Sequence, residues 1–360
     1  MASRRIAILG AGNGGVAMAA DLTLAGHRVS LYQLPQFEEQ FRPILSTRRI
    51  TLQGVERSGT VEIYRATTEV AAALEEDVEV VFVVTPAFGH ETMARLAAPY
   101  LRPGQLVALL PGGFGSYVFF RVLKEYGLAE KITLAESATL PYGARIRNGG
   151  QVIIHIRSAE LPVGVLPAIR TGEALALLRE FYPEAVPGQD ALDTALNNTN
   201  PCVHPPSTLL NTGRIEYADD FYLYVEGMTP SVWRVMRAVD GERVRVRQAL
   251  GYGPPHYEIP QDRDALLPYY GPEALAAGQK MRGPLSLTDR YITEDVPYGL
   301  VFYESVGQKA GVATPACSAL IDLAGIINGA DYRKEGRSLA NLGLGEMDLK
   351  ELQALLRTGL

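Results

Sequence analysis

The chain has 360 residues, of which 47% are hydrophobic and 21% charged, with a formal net charge of −6. The length exceeds what one compact core usually holds, so two domains are expected of an otherwise ordinary globular composition. The acidic balance excludes a nucleic-acid footprint. Two distant cysteines, Cys202 and Cys317, exclude a disulfide scaffold and a cysteine-based zinc site; no metal site is expected, and the usage fits a reducing cytoplasm.

In chain order, the first apolar run, Ile6–Leu9, is four residues long and gives way at once to glycines. It predicts a buried strand and is too short for a signal peptide or a membrane span. Further strands are expected at Arg28–Tyr32, Val78–Val84, Leu106–Leu110, Ile132–Ala135 and Val152–Arg157. Helical patterns lie between them, at Gly14–Ala25 and at Glu91–Ala98 before Pro99. This alternation predicts a doubly wound, mostly parallel Rossmann-type sheet, with apolar strands covered on both faces. From about Ala191 the β-branched runs cease. Helices are expected at Pro206–Glu216, Pro230–Gly251, Leu300–Gly311, Pro315–Asn328 and Met347–Leu356, an all-α second domain. Breakers around Pro183–Asp193 place the boundary there, dividing 1–187 from 188–360. Gly251–Pro284, rich in Gly, Pro and Tyr, reads as a long loop or insertion.

Gly10-Ala11-Gly12-Asn13-Gly14-Gly15 follows the first strand and opens a helix, with Gly10, Gly12 and Gly15 matching G-x-G-x-x-G. The first glycine permits a tight turn, the second lets backbone approach a pyrophosphate, and the third lets helix and strand pack closely. The helix N-terminus then faces the anion. A dinucleotide is therefore the expected cofactor, with Asn13 and Gly14 in the same cradle. At the end of the second strand, where a NAD site usually has an acid, stands neutral Gln33. Arg42, Arg48 and Arg49 follow, as cations for a 2′-phosphate or as solvated surface, and NAD and NADP both remain open. Pro86 and Phe88 after the third long strand, and Pro111–Gly115 after the next, stand where open α/β sheets collect ligands. Either segment could equally be a plain turn.

Hydride transfer to a carbonyl or imine needs a proton donor and acceptor near neutral pH, for which histidine is the natural side chain. Of five, His27 and His155 read as structural, His90 as a helix-terminal residue, and His256 is ambiguous. His204 lies in Asn200-Pro201-Cys202-Val203-His204-Pro205, at the start of the second domain, where a cleft usually holds substrate. The other polar cluster is Asp289–Pro297. It is either a solvated turn or a site in which Arg290 clamps a carboxylate while Asp295 accepts a hydrogen bond from His204.

These residues, with Leu31–Phe37, Pro86–Phe88, Leu110–Ser116, Glu136–Tyr142 and Gly311–Pro315, resemble the opine dehydrogenases, the octopine/nopaline dehydrogenase family, over nearly the whole chain. The resemblance implies an NAD(P)H-dependent condensation of an amino acid with a 2-oxo acid such as pyruvate, through an imine, and the reverse oxidation. It implies His204 as acid/base with Asp295 as its partner, Arg290 as substrate clamp, Asn200 as a polar contact, and Glu136 and Arg145 bordering the substrate. The expected partners are those two small molecules, with no nucleic acid and no membrane; a homodimer is one assembly open to it. Gln33 departs from the acidic residue of many relatives. Phe221, Tyr222, Tyr224 and Trp233 could line an amino-acid pocket, although aromatics so spaced are more often core.

Two rival readings stand beside this one. A ketopantoate reductase or hydroxyacid dehydrogenase shares the two-domain plan, but the versions that use a lysine in the second domain are disfavoured, since no lysine falls between Lys131 and Lys280. A nucleotide-binding regulator without catalysis would not need His204, Arg290 and Asp295 together.

Overall fold

The computed structural model describes residues 3–55, 57–75, 77–262, 265 and 282–359. They form two compact units. One contains the residues up to Ala195 together with those from Ala354 onward; the other runs from Leu196 to Gln353. Among the described residues no helix is long and apolar enough to cross a membrane.

The first unit holds the strands β1 (Arg5–Leu9), β2 (Arg28–Tyr32), β3 (Arg49–Gly54), β4 (Gly59–Glu62), β5 (Arg65–Thr67) and β6 (Val80–Val83). They continue with β7 (Leu106–Leu109), β8 (Thr133–Ser137), β9 (Tyr142–Ile146), β10 (Gln151–Arg157), β11 (Leu161–Leu166) and β12 (Ala185–Pro187). Eight of these make one sheet in the order β12-β11-β8-β7-β6-β1-β2-β5. Its neighbours pair in parallel except β8 and β11. Every residue of β6 and β7 is buried, as a strand covered on both faces requires.

The Val152–Arg157 strand forms as expected but lies elsewhere. It is part of β10, in a separate sheet of order β4-β3-β10-β9. The cause is local. The turn between β9 and β10 has Gly149 and Gly150 at φ 52° and 95° and closes an antiparallel hairpin, whose other edge on β10 is taken by β3. Helix α1 (Asn13–Leu24) packs against β2 of the first sheet and against β3, β9 and β10 of the second. Gly14–Leu22 are consequently all buried, which is why this helix has no polar face. Its one carboxylate, Asp21, accepts from Arg57 Nη1 at 2.5 Å and from the Tyr142 hydroxyl at 2.6 Å. Burial, with Tyr182 and Asp21 beside it, holds the Tyr142 phenol well above its ordinary pKa, so it stays a donor.

The first unit extends past the expected 187/188 boundary because the short helix Ala191–Ala195, which follows β12, packs on β11 and β8. β11 itself was hidden by Pro162 and Gly164, residues that normally weaken a strand. Gly164 is there for contact: a β-carbon on it would sit 2.3 Å from the Asp190 carbonyl oxygen.

The second unit is helical, with helices Asn200–Leu209, Thr212–Tyr217, Pro230–Ala249, Arg290–Thr293, Val301–Lys309 and Pro315–Asn328. The helix expected over Pro206–Glu216 is two helices. Pro205 and Pro206 lie inside the first rather than at its start, where a proline is usually placed, and Pro201 takes that place instead. Leu223–Gly227 and Val296–Leu300 are π-type turns. The latter comes hard against the first of these helices, since a β-carbon on Gly299 would lie 2.2 Å from Pro201 Cγ. Two fully buried arginines of the Pro230–Ala249 helix hold the segment after it. Arg243 donates to the carbonyls of Leu196 and His256 at 2.7 and 2.6 Å, and Arg247 to those of Pro255 and Gly253 and to His256 Nδ1. Of the loop expected at Gly251–Pro284, residues 251–262 are irregular as anticipated; most of the remainder lies outside the described residues.

Candidate active site

The glycine turn has the geometry its spacing predicts. Gly10 adopts φ 114°, and a β-carbon there would lie 2.3 Å from the Val84 carbonyl oxygen at the end of β6. At Gly15 a β-carbon would fall 1.8 Å from the Gly10 oxygen, so only glycine lets α1 start this close to β1. Gly12 is the opposite case. It is exposed, nothing lies within 4 Å of where its β-carbon would be, and no side chain caps the helix it opens. An uncapped N-terminus reached over bare backbone fits the pyrophosphate of a dinucleotide. Gly15→Val is expected to abolish dinucleotide binding as followed by NADH or NADPH fluorescence; undiminished affinity would refute this account of the turn.

The other expected cofactor residues are less uniform. Asn13 Oδ1 accepts the Ile146 amide at 2.8 Å, tying α1 to β9, which leaves its backbone for a ligand. Gly14 packs under Leu140. Gln33 follows β2; its amide donates to Thr67 O at 3.1 Å and its Oε1 accepts from Leu34 N at 3.0 Å. Arg48 pairs with Glu62 rather than turning to a ligand. Pro86 leads into a short turn on which Phe88 is 53% exposed.

Glu136 is turned to the protein's own backbone. It is buried in β8, and its two carboxylate oxygens accept the amides of Phe114 and Ser116 at 2.7 and 2.8 Å. It thereby caps the Gly115–Glu125 helix, and Gly112 of the turn before that helix packs directly on the Glu136 side chain. Arg145, in β9, donates to its neighbour's carbonyl, Ala144 O.

The polar residues of the second unit do assemble. His204, on the Asn200–Leu209 helix, places Nδ1 2.8 Å from Asp295 Oδ2, and both side chains are 14% exposed. The Tyr224 hydroxyl stands 3.5 Å from Nε2. Tyr291 lies flat on the imidazole, with centroids 3.8 Å apart and planes at 4°. Asn200 opens the same helix, its amide bonded to Asn198 Oδ1 at 3.1 Å. Arg290 is exposed, and its Nε donates to Glu294 Oε2 at 2.6 Å. Phe221 and Trp233 belong to the core, whereas Tyr224 and Tyr291 are half-buried against an apolar cluster of Ile215, Phe221, Leu223 and Leu287. Nothing in the spacing of Tyr224 and Tyr291 signals their meeting at His204, although Tyr291 stands next to Arg290. With Nδ1 held by a carboxylate, Nε2 is the nitrogen that can exchange a proton with a substrate.

Two family models match. Residues 187–328 fit the alpha-helical domain of NAD/NADP octopine/nopaline dehydrogenase, and residues 6–153 fit ketopantoate reductase PanE/ApbA. The ketopantoate reductase model thus covers residues of the first unit only, and the octopine/nopaline dehydrogenase model covers most of the second. An opine dehydrogenase of Arthrobacter sp. (strain 1C) is 33% identical over 347 residues, covering 95% of this chain and 96% of its own. The chain belongs to the opine dehydrogenase family. It is an NAD(P)-dependent oxidoreductase acting on CH–NH bonds, and its reaction joins an amino acid to a 2-oxo acid. Among solved structures, octopine dehydrogenase with NADH and L-arginine superposes with a TM-score of 0.75 at 21% identity. Yersinopine dehydrogenase with NADP+ superposes at 0.72 and 16%. Each likeness covers 99% of this chain and 98% of the other, and at these identities it is a likeness of fold.

Proposed function

We propose that His204 is the acid/base of this condensation, Asp295 its orienting partner and Arg290 the clamp for a substrate carboxylate. The observation that carries the proposal is the 2.8 Å His204–Asp295 contact, which fixes the imidazole with Nε2 directed away from the carboxylate. The carboxylate selects the tautomer and stabilises the imidazolium. An amine and a 2-oxo acid lose water to form an imine, a sequence that requires protons to be delivered and removed, and one His–Asp pair serves both. The bound nicotinamide supplies the hydride. The Arg290–Glu294 bond takes the Nε corner of the guanidinium and leaves the terminal nitrogens to grip a carboxylate in a fork. Asn200, one helical turn before His204, is a further polar contact on the same element.

The expected substrates are a 2-oxo acid such as pyruvate and an amino acid. The test is oxidation of NADH and of NADPH with a matrix of amino acids against oxo acids. Oxidation that depends on the amine is the expected result. An equal rate with the oxo acid alone would instead assign simple ketone reduction.

A further inference from the structure

His204 is held on more sides than its acid/base role alone explains. Asp295 fixes one edge, but a single hydrogen bond leaves the imidazole able to pivot about the Nδ1–Oδ2 line. Tyr291 removes that freedom. Its own backbone is pinned, because Asp289 Oδ1 accepts the Tyr291 amide at 3.1 Å and the adjoining Ile292 is fully buried. Its ring then covers one face of the imidazole at 3.8 Å, parallel to within 4°. The same short segment delivers Asp295 to the ring edge, so stack and hydrogen bond are set together.

We propose that Tyr291 is a positioning residue for the reaction: its aromatic plane sets the attitude of the His204 ring and stabilises the imidazolium formed during proton transfer. A π-face attracts a cation lying flat on it, and the attraction grows where water is excluded. With one face covered and Nδ1 taken, a substrate reaches His204 at Nε2, on the edge that the Tyr224 hydroxyl marks. The groups that face the imidazole are thus Asp295, Tyr224 and Tyr291, with the Arg290–Glu294 pair on the same segment. The role asks for the aromatic plane and makes no use of the phenol oxygen. It rests on the reading of His204 as the acid/base.

The test compares Tyr291→Phe and Tyr291→Leu with the wild-type protein, in steady-state kinetics and in the 1H–13C spectrum of the histidine Cε1–H groups, with His204 assigned by loss of its signal in His204→Asn. Tyr291→Phe should keep kcat within about twofold, and Tyr291→Leu should lose about 10- to 100-fold in kcat while KM for either substrate moves less than about threefold, the pattern of a misplaced catalytic group. The His204 resonance, shielded by the stacked ring, should move downfield in Tyr291→Leu and stay in place in Tyr291→Phe. Urea unfolding followed by the fluorescence of Trp233, which lies in the same unit as Tyr291, serves as the check that Tyr291→Leu is folded. Wild-type kcat in Tyr291→Leu, or equal losses in both variants, would overturn the proposal. A wild-type protein without amine-dependent turnover would overturn the reading of the reaction instead. The resonance comparison would then decide the stacking alone, an unmoved signal in Tyr291→Leu counting against it.

Discussion

Replacing His204 with alanine is expected to lower turnover of the preferred amine and oxo-acid pair by about 10²–10⁴-fold, the range found when a general acid–base group is removed. The loss should fall on kcat and on kcat/KM together, because the proton is moved in the transition state and the histidine holds no substrate in the ground state. Dinucleotide affinity should be unchanged, since Gly10, Gly12 and Gly15 lie in the other compact unit. Asp295→Asn should follow in the same direction: an amide can present its N–H to Nδ1 and so reverse the tautomer that leaves Nε2 as the working nitrogen. Steady-state rates and a fluorescence titration of the cofactor suffice to check both. Retention of more than about a tenth of wild-type kcat in His204→Ala would remove it from the acid/base role.

The largest effect on stability is expected from Arg243→Ala, at about 3–5 kcal/mol, as when one member of a buried ion pair is deleted. Arg243 is wholly buried, and its Nε bonds Asp240 Oδ1 at 2.8 Å. The other oxygen of Asp240 accepts Ile259 N at 2.8 Å. Truncation therefore strands a buried carboxylate and the carbonyls of Leu196 and His256 at once, and each unpaired group adds its own desolvation cost. Urea unfolding followed by the fluorescence of Trp233, which is in the same helix, reads the change directly. Arg245 on the exposed side is the control, where alanine should cost no more than about 0.5 kcal/mol. Pairing Arg243→Met with Asp240→Leu should recover much of the loss, because neither member of the pair is then left buried without its partner. A single Arg243→Ala variant as stable as the Arg245 control would contradict the assignment.

What could be read from the sequence followed from how local each signal is. The β1–α1–β2 unit was legible because Gly10, Gly12 and Gly15 have roles that depend on neighbours a few residues away. β11 was not, since Pro162 and Gly164 look like breakers until Asp190 is seen pressing on the sheet. Val152–Arg157 was legible as a strand but not in its pairing, which the β9–β10 turn decides. At the site, His204 and Asp295 are 91 residues apart, and only chemistry and family resemblance linked them before the structure brought them to 2.8 Å. Glu136 is the matching case: the family resemblance sets it beside the substrate, and only the structure reveals that its two oxygens accept the amides of Phe114 and Ser116. Tyr291 carried no signal, because a stacking contact leaves no spacing rule in the chain.

Glu136 has a consequence for which ligand goes where. The first unit repeats one arrangement, a parallel strand running through glycines into a helix, at Gly10–Gly15 and again at Gly112–Gly115. Both helices present positive ends. In the second, the chain supplies its own tethered anion; in the first, the corresponding negative charge has to diffuse in from solution. The fold thus meets a single electrostatic demand twice, once covalently and once by binding. The helix end left open to a phosphate-bearing molecule is that of α1, over the bare backbone of Gly12.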